Sequence, residues 1–245
     1  MFLDVKEGAI FISDAHENDN RDYFWQFLLA VESKKIEATQ LFLMGDMFDL
    51  LVGEVKYLRK KYQRYIDLLE KIALEIEVFY FEGNHDFVLE KIFKNVKLYK
   101  IEEQPVLFSI DEKKLLLLHG DKYGGQRHML YTSIIRNKTV LKTLNFFDSI
   151  SRNYISKKIL NKLLKKNICT EIDAFEHIIR AKIKKFINID TDIIAEGHYH
   201  QNKNFNVNNI KYINFPSFAC NQSYFIVQFS SNMKFVENKL RGFDV

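Results

Sequence analysis

Short apolar runs alternate with longer segments of helical period across the first 81 residues, and this alternation constrains the fold more than any other feature of the chain. "AIFIS" (9–13), "LFLM" (41–44) and "VFYF" (78–81) are three such runs and predict strands. "RDYFWQFLLAVESKK" separates the first two, and "KYLRKKYQRYIDLLEKIALEI" the second and third. In the latter, Leu58, Tyr62, Ile66, Leu69, Ala73 and Ile76 recur every three or four residues, which predicts a helix with one apolar face. Alternating strands and helices predict an α/β layered domain.

Further strands are predicted over 105–110, 114–119 and 192–196. The C-terminal segment "NFNVNNIKYINFPSFACNQSYFIVQF" carries β-branched and aromatic residues between Asn-rich turns. It predicts antiparallel strands completing a second sheet, with no helix. The stretch from Tyr131 to Asn188 breaks the alternation. Ile134, Ile135, Leu141, Leu144, Phe147, Ile150, Tyr154, Ile159, Leu163 and Leu164 stand at helical spacing among Lys and Asn. With no internal repeat and only 2 prolines, the chain divides into a core of 1–130 and 189–245 and a helical insertion at 131–188.

Net charge is only +4, yet nine cations lie between Arg136 and Lys166 against a single acid, Asp148. A block carrying +8 on a nearly neutral body implies an anionic partner: nucleic acid, a membrane surface or a charged substrate. The N-terminus "MFLDVKEGAI" has no cationic lead before an apolar stretch, so no signal peptide is expected. No apolar run approaches the roughly 18 residues of a membrane span. Cys169 and Cys220 are isolated and read as reduced thiols of a cytoplasmic protein.

The apolar runs end in an unusual set of polar residues. "FISDAH" supplies Asp14 and His16, "LMGDMFD" supplies Asp46 and Asp49, and "FEGNHD" supplies Asn84, His85 and Asp86. "LLLLHGD" adds His119 and Asp121, and "AEGHYH" adds His198 and His200. A lone Asp-X-His or Gly-Asn-His-Asp has an ordinary explanation as a turn. Five such sets, each closing a predicted strand, do not. Loops at the carboxyl ends of strands line the crevice of open α/β sheets, so the five sets are expected to converge. Carboxylate, imidazole and amide donors suit Mn²⁺, Fe or Zn²⁺ rather than thiolate-selecting metals. Two ions about 3.5–4 Å apart clamp both sides of an in-line displacement at phosphorus. In DxH, residues i and i+2 on extended backbone point the same way. His128 and His177 fit no strand end and read as helical or surface histidines.

The order D-x-H, G-D-x-x-D, G-N-H-D, H-G-D, G-H-x-H resembles the calcineurin-like metallophosphoesterase superfamily, over most of the chain. The resemblance implies a four-layer α/β/β/α sandwich around a dinuclear centre with two divalent ions, Mn²⁺ being the expected activator. Asp14, His16 and His200 would hold one ion, Asn84, His119 and His198 the other, and Asp46 would bridge. His85 would lie near the phosphate, stabilising charge or protonating the leaving group, and Asp86 would orient the His85 ring. "FISDAHENDN", "GDMFDL", "GNHDFVL" and the stretch after His119 are more closely similar to the UDP-2,3-diacylglucosamine diphosphatases of lipid A synthesis. That group cleaves a pyrophosphate to UMP and 2,3-diacylglucosamine 1-phosphate, and a helical lid after H-G-D covers the acyl chains. Its best-known branch carries Arg where this chain has His85.

The main expectation is therefore a hydrolase of an acylated nucleotide sugar, peripherally bound to the inner membrane from the cytoplasm. Its basic amphipathic insertion would serve as lid, with Leu144 and Phe147 against the acyl chains. The alternative is a nuclease or nucleotide phosphodiesterase using the same metals, with the basic block on phosphates. Only Phe146, Phe147 and Tyr154 interleave that block, fewer aromatics than a stacking groove uses, so no nucleic acid enters the main reading. A non-catalytic scaffold would show eroded ligands, and all seven are present.

Overall fold

The computed structural model describes residues 3–123, 132–186, 188–229 and 232–240. In chain order its strands are β1 (Leu3–Asp4), β2 (Ile10–Ile12), β3 (Gln40–Leu43), β4 (Leu51–Val52), β5 (Glu77–Phe81), β6 (Asp86–Phe87) and β7 (Lys97–Tyr99). They continue with β8 (Val106–Ile110), β9 (Lys113–Leu118), β10 (Ile193–Glu196), β11 (Gln201–Val207), β12 (Ile210–Pro216), β13 (Ser223–Gln228) and β14 (Lys234–Lys239). The helices are α1 (Tyr23–Glu32), α2 (Lys56–Lys61), α3 (Gln63–Ile72), α4 (Lys138–Ile150), α5 (Tyr154–Leu163), α6 (Phe175–Ile183) and α7 (Phe218–Asn221).

The strands form two six-stranded sheets, ordered β14-β13-β2-β3-β5-β7 and β1-β8-β9-β10-β12-β11. β2, β3, β5 and β7 run parallel, as do β9, β10 and β12. Register aligns Phe11, Phe42 and Phe79 on one face and Ile12, Leu43 and Tyr80 on the other. The three phenylalanines stack at 4.3 and 4.6 Å and meet Phe108, Leu115, Leu117, Ile193 and Phe215 of the second sheet. Ile12, Leu43 and Tyr80 pack outward beneath Phe24, Leu28, Tyr65 and Leu69 of α1 and α3. Leu116, Leu118, Ile194 and Tyr212 face outward on the second sheet and are covered by Phe175, Ile179 and Ile183 of α6. The architecture is thus an α/β/β/α sandwich. Strands buried on both faces read as unbroken apolar runs, which is why they stood out in the sequence.

Several expectations needed revision. The 56–76 segment is two helices, because the chain turns at Tyr62 (φ −102°, ψ 16°) and seats its ring 4.5 Å from Phe48. The C-terminal strands divide between both sheets: β11 and β12 extend one, β13 and β14 the other, with α7 between them. The outer layer on the second sheet comes from within 131–188, since α6 packs there as core. Cys169 and Cys220 are not reduced thiols but a disulfide with Cα atoms 5.8 Å apart. They are 51 residues apart in sequence, so only the fold brings them together. The pairing withdraws the thiol argument for a reducing compartment. His177 is exposed on α6, whereas His128 lies outside the described residues. Among the described residues, no helix is long and apolar enough to cross a membrane.

α4 and α5 form a hairpin beside the core. Asn137 caps α4 by accepting from the N–H groups of Thr139 (2.9 Å) and Val140 (3.2 Å). Asp148, the one acid of the basic block, is buried and accepts from the Ser156 N–H (3.0 Å) and Oγ (2.6 Å), pinning α4 to α5.

Candidate metal centre

β2, β3, β5, β9 and β10 end on the same edge of the sandwich, and their loops carry the residues singled out above. Two groups result. Asp14, His16 and His200 bring one potential ligand atom each within 4.8 Å of the others, and so do Asp46, His119 and His198. His16 Nε2 lies 3.4 Å from His200 Nε2, and His200 Nε2 lies 3.1 Å from Asp14 Oδ1. His119 Nε2 lies 3.4 Å from Asp46 Oδ2. Asn84 joins His16, Asp46, His85, His198 and His200 in lining a cavity of about 330 Å³ over both groups. His198 and His200 point into different groups despite being two residues apart.

Extended backbone does not produce this arrangement. Asp14, His16, Asp46, His198 and His200 all have positive φ, between 44° and 66°. Each costs about 1–2 kcal/mol for a residue with a Cβ. Neighbouring bonds hold them there: the Asp14 N–H donates to the Gly45 carbonyl (3.0 Å) and the His16 N–H to the Asp46 carbonyl (3.0 Å). The Asp14 carbonyl accepts from Ser217 Oγ at 2.8 Å. Tight turns, not strand alternation, set the ligand directions. Gly45 (φ +93°) is required for a second reason: a Cβ there would stand 2.4 Å from His119 Nδ1.

The donor set passes a chemical test for a bound cation. Asp14 Oδ1, Asn84 Oδ1, His119 Nε2 and His198 Nδ1 are buried and lack a well-directed hydrogen-bond partner. Buried polar atoms are rarely left so, and these are acceptors or ring nitrogens gathered over one cavity. The other ring nitrogens are fixed: His119 Nδ1 lies 2.8 Å from the Met44 carbonyl and His200 Nδ1 2.7 Å from the Ile168 carbonyl. As donors there, they leave Nε2 for a metal. Asp49 Oδ1 faces His16 Nδ1 at 3.5 Å, an ion-pair distance without a well-directed hydrogen bond. The Asp49 carboxylate is itself held by Asn18 Nδ2 (2.7 Å) and Arg21 (3.2 Å).

The electrostatics are consistent with ligand roles. Burial alone would raise the Asp46 carboxyl, but the imidazoles of His119, His85 and His16 hold it well below the usual carboxylate range. Asp14 is lowered against its burial by His200. Burial, then His119, push His198 down to about 3, so its ring is neutral. Burial also lowers His16. His119 and His200 are raised, against their burial, by Asp46 and Asp14 respectively. Those two protons must leave before nitrogen and carboxylate can both serve as ligands.

Asp86 does not orient His85. Its carboxylate accepts from the N–H groups of Gly83 (2.9 Å), Asp46 (3.0 Å) and Met47 (2.6 Å) and from Tyr80 Oη (2.6 Å). Burial, then the Asp46 charge, push it up to about 7. It therefore braces the two loops that carry Asp46 and Asn84. His85 is oriented instead by the Asp49 backbone carbonyl, 2.6 Å from its Nδ1. A carbonyl of any residue can do this, which is why the sequence carried no sign of it. Asp121 pairs with Arg136 (3.3 Å) and does not line the cavity over the two groups. Lys166, from the end of the basic block, lines the cavity over the two candidate metal groups without having been marked by any motif.

The sequence profile of the calcineurin-like phosphoesterases matches residues 9–202. A protein named UDP-2,3-diacylglucosamine hydrolase from Wigglesworthia glossinidia brevipalpis is 25% identical over 215 residues, 84% of this chain and 84% of that one. A namesake from Proteus mirabilis (strain HI4320) is 22% identical over 198 residues, covering 79% of this chain and 82% of its own. Another, from Blochmanniella pennsylvanica (strain BPEN), is 26% identical over 215 residues, 79% of each chain. With the motifs, the sandwich and two adjacent His–carboxylate groups at one sheet edge, the match leads to one conclusion: this chain belongs to the calcineurin-like phosphoesterase family and is a metal-dependent hydrolase of that class.

Proposed function

We propose that the protein hydrolyses the pyrophosphate of UDP-2,3-diacylglucosamine, or a close acylated relative, to UMP and an acylated sugar phosphate. One observation carries this reading. An apolar cavity of about 400 Å³ opens beside Asn84 and His85. Its walls are Leu50, Val52, Val55 and Phe87 of the core and Ile135, Leu141, Leu144, Ile159 and Leu163 of the 131–188 stretch. Asn84, His85 and Lys166 line both this cavity and the one over the metal groups. A substrate with greasy chains at one end and a phosphoanhydride at the other fits that pairing. Acyl burial at roughly 0.8 kcal/mol per CH₂ would then supply much of the affinity. The relatives' name supports the same choice.

Asp14, His16 and His200 would hold one divalent ion and Asn84, His119 and His198 the other, with Asp46 shared. Mn²⁺ is the proposed ion; bound there, the pair supplies charge neutralisation for the displacement at phosphorus. A water oxygen bonds to phosphorus as the anhydride P–O bond breaks; the water's proton passes to solvent, and a proton from a neighbouring donor offsets the charge developing on the leaving phosphate oxygen. His85, anchored through Nδ1, presents Nε2 for that transfer. An arginine at this position could stabilise charge but could not give up a proton.

Phe147 does not line the cavity. It is exposed, as are Phe146, Ile150 and Tyr154. With Lys142, Arg152, Lys157 and Lys158 nearby in sequence, this apolar and cationic surface suits peripheral contact with an anionic membrane from which the lipid is taken. The test compares Leu144→Asn with wild type on the diacylated substrate and on a small soluble phosphodiester. KM for the lipid should rise while phosphodiester turnover stays nearly unchanged. Equal losses on both, or a preference for oligonucleotides, would overturn the proposal.

A further inference from the structure

Outside the ligand set, the described residues contain a buried ion pair that the chemistry above does not use. Lys182, near the end of α6, is 8% exposed, and Glu196, the last residue of β10, is fully buried. Lys182 Nζ donates to Glu196 Oε2 at 2.5 Å and to the Gly120 carbonyl at 2.9 Å, and lies 3.3 Å from Tyr199 Oη. Glu196 Oε1 accepts from Tyr212 Oη at 2.7 Å. Three of these contacts fall on residues flanking metal ligands. Gly120 follows His119, Glu196 stands two before His198, and Tyr199 follows it.

We propose that Lys182 is a positioning residue that fixes the His119 loop against the His198 loop and so sets the geometry of the second metal position. The inference rests on the dinuclear reading above. β9 and β10 are adjacent parallel strands, but their hydrogen-bonded register ends at Leu118 and Glu196. Beyond those residues the ladder no longer holds the two loops together. Lys182 replaces it, reaching the His119 loop through a backbone carbonyl and the His198 loop through a carboxylate. The packing leaves little slack: a Cβ on Gly120 would stand 3.0 Å from Glu196 Oε2 and 3.1 Å from His198 Cβ. The His119 and His198 rings sit 5.2 Å apart, centroid to centroid.

Stability alone does not account for the pair. Replacing a buried ion pair by well-packed apolar residues is often neutral or stabilising, because desolvation offsets the attraction. An apolar pair of equal volume would fill the same space, yet could not bind the Gly120 carbonyl. The ammonium has a directional role that packing lacks.

The test measures Mn²⁺ binding to the full-length protein by calorimetric titration and electron paramagnetic resonance, beside thermal unfolding. Wild type should bind two ions and give the spectrum of a coupled pair. Lys182→Met leaves Glu196 buried and unpaired and is expected to be unstable. Lys182→Met with Glu196→Leu removes both charges and, although Tyr212 Oη loses its acceptor, should recover part of the unfolding temperature that the single variant loses. In that double variant one site should lose about 10–100-fold in affinity, leaving the spectrum of an isolated ion. A double variant with two wild-type sites, or with both sites weakened equally, overturns the role of Lys182. So does one that fails to fold, which would make the pair a stability element. A wild-type protein that binds no Mn²⁺ would instead sink the dinuclear reading on which the inference rests.

Discussion

Asp46 carries more of the site than any other side chain. Its Oδ1 accepts from the His85 N–H at 2.8 Å while Oδ2 faces His119. A Cβ on Gly83 would stand 2.2 Å from Oδ1, so even the neighbouring loop is shaped around it. Asp46→Ala should therefore lose one or both ions together with turnover, as read by metal analysis beside kinetics. Near-normal turnover at full metal content would refute the shared-ligand role. His85 should behave differently. Its ring is 5.0 Å from His16 but is held by a backbone carbonyl, not by a partner within the metal groups. His85→Ala should keep both ions and lose about 10²–10⁴-fold in rate, the usual contribution of a positioned proton donor. Loss of metal in that variant would make His85 a ligand or a structural residue.

At the scale of elements, Glu77 shows how side chains tie strands that the ladder already pairs. It opens β5 and accepts from Lys97 of β7 (2.6 Å), Lys6 (2.9 Å) and Gln40 of β3 (2.9 Å). The bonds to Lys97, Lys6 and Gln40 bring its carboxyl down to about 2 from an ordinary 4.5. A folded-state value below the unfolded one stabilises the fold at pH above about 4.5, and that contribution fades as pH falls towards about 2. Glu77→Gln should be less stable than wild type at neutral pH. The gap should close across that acid window, as followed by denaturant unfolding at stepped pH. A gap independent of pH would mean that the glutamate contributes shape rather than charge. The α4–α5 hairpin is tied differently. Its own bonds are local, through Asn137 and Asp148, while Lys138 pairs with Glu90 and Asn145 Oδ1 accepts from the Lys56 N–H at 2.8 Å. Buried Leu141 and Leu160 also seat the hairpin against the main core cluster, so apolar packing and a few polar contacts anchor it together.

Across the whole molecule, the Cys169–Cys220 bridge joins the segment leaving the basic block to α7, which packs under Asp14. Ile168, one residue from Cys169, provides the carbonyl that orients His200. The bridge closes a loop of 51 residues that includes α6, β10, His198 and His200. Reduction should lower stability by about 2–4 kcal/mol, seen as a fall in unfolding temperature with a dithiol reductant. Cys169→Ser should show the same fall and no further response to the reductant. An identical temperature for both forms would mean that the thiols are unpaired in solution.

The strands were legible because burial on both faces makes each one an unbroken apolar run, as at 41–43 and 78–81. The residues closing those runs were legible because a metal selects a narrow set of side chains, and Asp14, Asp46, His119 and His200 bring that chemistry wherever they are placed. Local pattern thus determined the layered class and the chemical nature of the site. Direction and partnership were decided by tertiary structure. Five residues with positive φ turn the clustered side chains inward, the carbonyls of Met44, Ile168 and Asp49 orient rings, and Asp86 braces backbone instead of reaching His85. A backbone carbonyl is the same group at every residue, so no sequence signal marks the ones that matter. The Cys169–Cys220 and Lys182–Glu196 contacts, the break at Tyr62 and the outward turn of Phe147 were equally silent. Each depends on which surfaces meet when the sheets and helices pack, and helical period or isolated spacing does not encode that.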